Sequence, residues 1–202
     1  MTERLKQMTR DQIIESMNAE NLRYDEYESK VTEYMDKAKT VDDVNLLLEV
    51  AFYLRNEALV DAITSILGRR HTFSDIAVQG NSASVDRLLN VIAEMLSQTW
   101  HGAHEDLVAE LEEFPHPKTI EALRQMVDIK PAILAELDDG EALSRKAIWA
   151  LGKIASPLDD RKIDPEIKSA ALDVLHDLSS HSDKLVVERT QNQLDRISKF
   201  DQ

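Results

Sequence analysis

The chain has 202 residues and a net charge of −14, from 38 acidic and 24 basic side chains. It contains no cysteine, which excludes disulfides, thiolate zinc sites and a cysteine nucleophile. Its negative field repels nucleic acid and anionic lipid, and its few glycines and prolines, five of each, argue against a turn-rich β sandwich.

Apolar residues recur at helical spacing through the N-terminal part of the chain. Thr9 and Gln12 have the spacing of a capping box, and Thr40 is predicted to cap a later helix. Gly68 is predicted to end the helix that follows. The segment 69–82 then breaks the pattern, and we interpret it as a long loop that a partner would order.

Helical spacing resumes at Val85 and continues through the C-terminal half. Gly102 predicts a break between two helices, and Pro117 suits the first turn of the next one. Asp164, which precedes a proline, predicts another helix N-terminus, and Ser182 is predicted to cap the last helix. No alternating pattern of useful length appears, so the sequence predicts an all-α protein.

Three apolar stripes share steps of four, four and three residues, which suggests an internal repeat. They are Leu143, Ala147, Leu151 and Ile154, then Ile167, Ala171, Leu175 and Leu178, then Val186, Thr190, Leu194 and Ile197. Alternate helices recur about every 40–47 residues, the spacing of a two-helix HEAT or armadillo array. The alternative is an irregular helical bundle without superhelical order.

The best-formed unit, at 138–155, is an acidic turn followed by Arg145, Ala147 and the run Ala150-Leu151-Gly152-x-Ile154. It resembles the HEAT-repeat family, especially its bacterial HEAT-like branch, well over 138–155, fairly over 165–199 and weakly before residue 80. The resemblance implies one domain, 1–202, forming an α-α superhelix of about five helical hairpins. The predicted pieces are capping helices at 1–39, hairpins at 40–68, 83–114, 117–155 and 164–200, and the loop at 69–82.

His101, His104 and Glu105 are the candidate for metal chemistry. On one continuous helix the two imidazoles would share a face, but the glycine between them predicts a break. His104 then lies on the core-facing side of the next helix, where a histidine usually donates one ring proton to a neighbouring group. Deoxyhypusine hydroxylases, a HEAT-like family, hold two irons with several His-Glu pairs, and only one such pair occurs here. With no phosphate loop or hydrolase motif present, we expect no metal, no cofactor and no catalytic residue.

Carboxylates recur at i, i+4 and i+7 along one predicted helix and cluster again in predicted turns. Turns of a solenoid align along one edge, so these clusters could form one acidic ridge; a solvated face, or the local preference of aspartate for turns, explains them equally. Trp149 either packs between repeats or anchors a partner, and Tyr24, Tyr27 and Tyr34 raise the same choice. The predicted partner-binding residues are Asp106, Glu110, Glu113, Asp138, Asp139, Glu141, Trp149, Asp159 and Asp160.

Small, acidic, cysteine-free HEAT-like proteins resemble bacterial immunity proteins, which neutralise a cognate toxin by occluding its active site or binding beside it. The resemblance implies a protein-binding module that opposes a basic toxin domain, with no nucleic-acid or membrane partner and an oligomeric state left open. The alternatives are a HEAT-like adaptor or chaperone scaffold, including relatives of the phycobilin lyases, and a metal-dependent enzyme using His101, His104 and Glu105. Without an apolar leader or membrane span, we expect a cytoplasmic protein.

Overall fold

A computed structural model describes residues 9–18, 22–37, 40–70, 82–112, 114–131, 140–156 and 163–199. Within these ranges the chain forms ten α-helices and no strand, which confirms the all-α prediction. The helices are α1 (Arg10–Met17), α2 (Tyr24–Lys37), α3 (Val41–Leu54), α4 (Glu57–Arg70), α5 (Ser82–Leu96), α6 (His104–Glu112), α7 (Pro117–Met126), α8 (Glu141–Ala155), α9 (Pro165–Leu178) and α10 (Lys184–Ser198). None of these helices is long and apolar enough to cross a bilayer.

The chain divides into two compact units, Met1–Val91 and Ile92–Gln202. In the first unit α1 packs on α3, while α2 and α3 both pack on α4. In this unit, helices therefore pack on the next helix but one in the chain (α1 on α3, α2 on α4) as well as on the next helix (α3 on α4). Ten packed helices are compatible with a helical repeat fold, and the finer prediction of five hairpins in a superhelix stays a prediction.

Polar side chains join α3 to α5 in the first unit. The side-chain amide of Asn45, which is fully buried, donates to the carbonyl oxygen of Ser84 at 2.9 Å. One helical turn further on, the Arg87 guanidinium donates two bonds of 2.7 Å to the Glu49 carboxylate. Hydrogen bonds of this kind specify which residues face one another along the helix pair, a register that the apolar pattern alone leaves loose.

Helix α8 is the centre of the second unit and contacts α6, α7, α9 and α10. Its predicted stripe is buried throughout: Leu143, Ala147, Leu151 and Ile154 are at most 1% exposed. A helix with neighbours on several sides needs small residues where another backbone or side chain comes close. Gly152 meets this need, because a Cβ there would lie 2.9 Å from both Cγ and Cδ of Gln193 on α10.

Most of the predicted helix ends are confirmed. Thr9 and Thr40 each accept a hydrogen bond from the N–H three residues on, and Gln12 and Asp43 complete the two capping boxes. The Asp164 carboxylate accepts from the N–H two residues later, at 2.8 Å. Pro117 occupies the first turn of α7, as predicted.

Two predicted ends are wrong. Gly68 lies inside α4, which runs on to Arg70, because burial of the apolar face of that helix outweighs the roughly 1 kcal/mol that an exposed helical glycine costs. The last helix is capped by Asp183 rather than Ser182, since the Asp183 carboxylate accepts from the Leu185 N–H at 2.8 Å and a charged acceptor suits a helix N-terminus best. Residues 69, 70 and 82 of the predicted loop are helical, in α4 and α5, and 71–81 lie outside the described residues.

Replacing Gly152 by alanine should lower the free energy of unfolding by about 1 kcal/mol, because the cost of moving the Gln193 side chain out of the α8–α10 contact, about 1–3 kcal/mol, is partly offset by the roughly 1 kcal/mol that alanine gains over glycine in a helix. Adding Gln193→Ala to Gly152→Ala should restore most of that loss, which denaturant unfolding of the four proteins in a double-mutant cycle measures. Gly68→Ala is the matched control: it adds the same methyl group to an exposed helical glycine and should stabilise by up to about 1 kcal/mol. Additive effects of the two α8–α10 substitutions would contradict the contact.

Candidate functional site

The acidic stripe predicted on α6 is in part present on the surface. The apolar side of this helix, Leu107, Val108 and Leu111, is fully buried against the rest of the second unit. Asp106 is exposed, beside an exposed Glu105, while Glu110 is half-buried and Glu113 lies outside the described residues. Neither Glu105 nor Asp106 forms an ion pair with a described basic side chain, so both charges face solvent.

The next carboxylate on α6 has a different role. Glu112 is buried, and its carboxylate forms an ion pair with the Lys153 ammonium group of α8. A buried carboxylate needs such a partner because desolvation of an isolated charge is expensive. Glu112 thus holds α6 to α8 and contributes nothing to an outward acidic surface.

Glu141 is the one predicted turn carboxylate that falls within the described ranges; Asp138, Asp139, Asp159 and Asp160 fall outside them. It is exposed at the start of α8, and its carboxylate forms an ion pair with Arg189 of α10. The same guanidinium also donates to the Glu141 carbonyl oxygen at 3.0 Å. The charge of Glu141 is therefore largely matched inside the molecule, and the continuous acidic ridge stays a prediction.

A pocket of about 480 Å³ lies beside this ion pair, between the end of α7 and the starts of α8 and α10. His181 and Asp128 line it, with His181 Nε2 2.9 Å from a carboxylate oxygen of Asp128. The backbone N–H of Asp183 donates to the other ring nitrogen, Nδ1, at 3.1 Å. Because Nδ1 accepts, Nε2 carries the ring proton and donates it to Asp128. Neither nitrogen is free to take a proton from a substrate, so this pair is not placed to act as a general base.

The two histidines of the metal hypothesis close the end of a helix. His101 and His104 are both fully buried, and their rings stack with centroids 4.3 Å apart. His101 Nε2 lies 3.0 Å from the Met95 carbonyl oxygen and His104 Nε2 lies 2.8 Å from that of Gln98. Carbonyl oxygens only accept, so each Nε2 carries a proton and donates it at the C-terminal end of α5, where helical carbonyls lack partners.

Their surroundings hold both imidazoles in the neutral form. Burial, together with the neighbouring ring of His104, lowers the pKa of His101 to about 4, and burial lowers the pKa of His104. Glu105, the third residue of the hypothesis, is exposed rather than buried with them. In the described ranges no three metal-ligating side chains come together. The prediction that His104 faces the core and donates a ring proton to a neighbour is confirmed.

Trp149 lies on the surface rather than between helices, which corrects the packing interpretation. Its side chain is 49% exposed, and the Arg196 guanidinium carbon of α10 sits 4.6 Å from the ring centroid. Sequence reasoning missed this cation because it is 47 positions away, although helical spacing does place Arg145 one turn before the tryptophan.

The tyrosines divide in the same way. Tyr27 and Tyr34 are buried, and their hydroxyl groups bond to the Asn56 amide at 2.6 Å and the Asp43 carbonyl oxygen at 3.1 Å. These two tyrosines therefore hold α2 against its neighbours in the first unit. Tyr24 is 44% exposed and remains a surface aromatic.

No protein-family model, curated protein or solved structure matches this chain. The packing of the described helices is compatible with a helical repeat fold, and the HEAT-like resemblance stays a prediction from the sequence.

Proposed function

We propose that the chain is a protein-binding module whose α6 surface docks on a cationic partner. The observation that carries this proposal is the pair Glu105 and Asp106, two exposed carboxylates without a described basic partner on a helix whose apolar side is fully buried. The second unit that holds them has 22 acidic and 13 basic residues in its sequence. Opposite charge on a partner would speed encounter and reject wrong partners.

The kind of partner we propose is a basic bacterial toxin domain, which this chain neutralises as an immunity protein by covering it. This part follows from the resemblance of small, acidic, cysteine-free HEAT-like chains to that class. Inhibition by covering a surface needs no catalytic group in this chain. It fits a site where the described carboxylates and histidines are either exposed at a helix start or already engaged in structural bonds.

Asp106→Lys should lower the association rate with a basic toxin domain about tenfold at low salt, and by less at high salt, because steering charges are screened beyond about 10 Å at 0.1 M ionic strength. Glu166→Lys is the matched control: Glu166 is also exposed in the first turn of its helix, so both changes cost the helix start equally. Rates are measured by surface plasmon resonance with a basic toxin domain, which is sought first in the open reading frame next to the one that encodes this chain. The same domain is expressed in cells with and without the chain, to read out protection.

Three results would contradict the proposal. They are an affinity that does not depend on salt, equal losses of association rate in Asp106→Lys and Glu166→Lys, and no protection of cells that express the toxin domain. Protection by wild type with full salt dependence but no loss in Asp106→Lys would move the contact away from α6. Binding to many unrelated polypeptides without protection would favour the adaptor or chaperone scaffold instead. Stoichiometric iron or zinc in the purified protein would favour the metal-dependent enzyme.

A further inference from the structure

The solvent-facing side of α8 carries the ring of Trp149, with basic side chains of α8 and α10 near it. Arg145 and Trp149 lie one helical turn apart and are both exposed, and Lys146 is half-buried beside them. Arg196 reaches across from α10, with its guanidinium carbon 4.6 Å from the Trp149 ring centroid. We call these four residues, Arg145, Lys146, Trp149 and Arg196, the cationic aromatic patch.

Within the described residues, the three cations of the patch are not neutralised by carboxylates. Two other cations on these helices are matched, Lys153 by Glu112 and Arg189 by Glu141, whereas Lys184 and Lys199 at the two ends of α10 are exposed and form no ion pair in the described residues. Arg196 thus lies over an exposed tryptophan that has Arg145 and Lys146 one helical turn before it, and none of the three cations has an ion pair in the described residues.

Tryptophan and arginine are the side chains most enriched at the energetic centres of protein interfaces. Here the ring and the guanidinium are already stacked, so a ligand that covers them loses little side-chain freedom on binding. The exposed face of the patch thus offers a flat apolar contact together with cationic donors for carboxylates.

We propose that the cationic aromatic patch binds an acidic polypeptide segment that carries an aromatic or large apolar side chain. Charge complementarity favours an acidic segment as the ligand of this patch. At physiological salt, charges act over about 8 Å, so a short segment is attracted by the three local cations more than it is repelled by the net charge of the whole chain. An extended polyanion such as nucleic acid or a membrane would instead meet the negative field of the whole chain. The proposal adds a second partner chemistry to the cationic one proposed for α6.

The test uses the full chain and two labelled peptides, one of Asp and Glu around a central phenylalanine and one with Lys at the acidic positions. Fluorescence anisotropy should show binding of the acidic peptide at low salt, weakening as salt rises. Trp149→Ala and the double variant Arg145→Glu with Arg196→Glu should each weaken binding about tenfold or more. Circular dichroism and thermal unfolding check that the substitutions, at the exposed Arg145 and Trp149 and the half-buried Arg196, leave the helices intact.

Two matched controls separate the patch from general effects of charge and aromatic loss. Lys184→Glu reverses an exposed cation at the other end of α10, about 18 Å along the helix from Arg196, and should change affinity by less than about twofold. Tyr24→Ala removes an exposed aromatic ring from the first unit and should do the same.

Three outcomes would overturn the proposal. The first is no binding of the acidic peptide by wild type, and the second is losses in the controls as large as those in the patch variants. The third is stronger binding, lost in the patch variants, to a single-stranded oligonucleotide or to vesicles of anionic phospholipid, which would assign the patch to another class of polyanion.

Discussion

Acidification should lower the free energy of unfolding through His101 by roughly 3 kcal/mol, because its pKa is about 4 in the folded protein against an ordinary value of 6.5. Between these two values the unfolded chain binds a proton that the folded chain does not. The contribution is therefore fully present above about pH 6.5 and is lost as the pH falls towards 4. The pKa of His104 is lowered as well, so this second imidazole acts in the same direction.

The measurement is a series of urea unfolding curves between about pH 7.5 and about pH 4. His101→Gln removes the titrating ring but keeps an N–H that can reach the Met95 carbonyl, so its stability should depend less on pH than that of wild type. His176→Gln is the matched control, since it makes the same substitution at an exposed histidine on α9. Equal slopes for wild type and His101→Gln would show that the buried pair does not control acid stability.

Gly140→Ala should lower the free energy of unfolding by about 2–4 kcal/mol. Gly140 has φ of +81°, which costs a residue with a Cβ about 1–2 kcal/mol in the left-handed region. In addition, a Cβ there would lie 2.8 Å from the Ile129 carbonyl oxygen, which belongs to the backbone and cannot rotate away. The substitution therefore strains the start of α8, the helix on which the second unit is assembled.

Gly140→Asn separates the two causes of this loss. Asparagine tolerates a positive φ better than alanine does but brings the same Cβ. The free energy of unfolding of the Gly140→Asn protein should therefore lie between those of the Gly140→Ala protein and wild type. Chemical unfolding of the three proteins, followed by circular dichroism, measures the order. A Gly140→Ala protein as stable as wild type would contradict the close approach of Ile129. A Gly140→Asn protein as stable as wild type would leave backbone strain as the only cause of the destabilisation by alanine.

The acidic residues of α6 and α8 show what local sequence patterns can predict about the surface. Helical periodicity was enough to predict that Leu107, Val108 and Leu111 face the core and that Asp106 faces solvent. It could not predict that Glu141 is matched by Arg189, because the two lie 48 positions apart and meet only when α10 packs on α8. A predicted acidic position thus became part of an internal ion pair.

The histidine pair shows the same division. The i+3, i+4 and i+7 spacing of apolar residues after His104 placed that ring on the buried side of α6. The turn between α5 and α6 brings His101 onto it, with both rings bonded to carbonyls at the end of α5. No pattern in the sequence predicts the path of that turn. From the sequence alone, a structural pair of stacked histidines therefore cannot be distinguished from two ligands of a metal site.

By itself, the sequence determined the all-α class, the N-termini of α1, α3, α7 and α9, and the apolar stripes, because caps and periodicity depend on residues within one or two turns of each other. The tertiary structure alone decided which charges remain unmatched: Arg196 meets Trp149, and Lys153 meets Glu112, only where separate helices pack. The sign of a surface depends on these long-range pairs, and coulombic matching acts through space rather than along the chain.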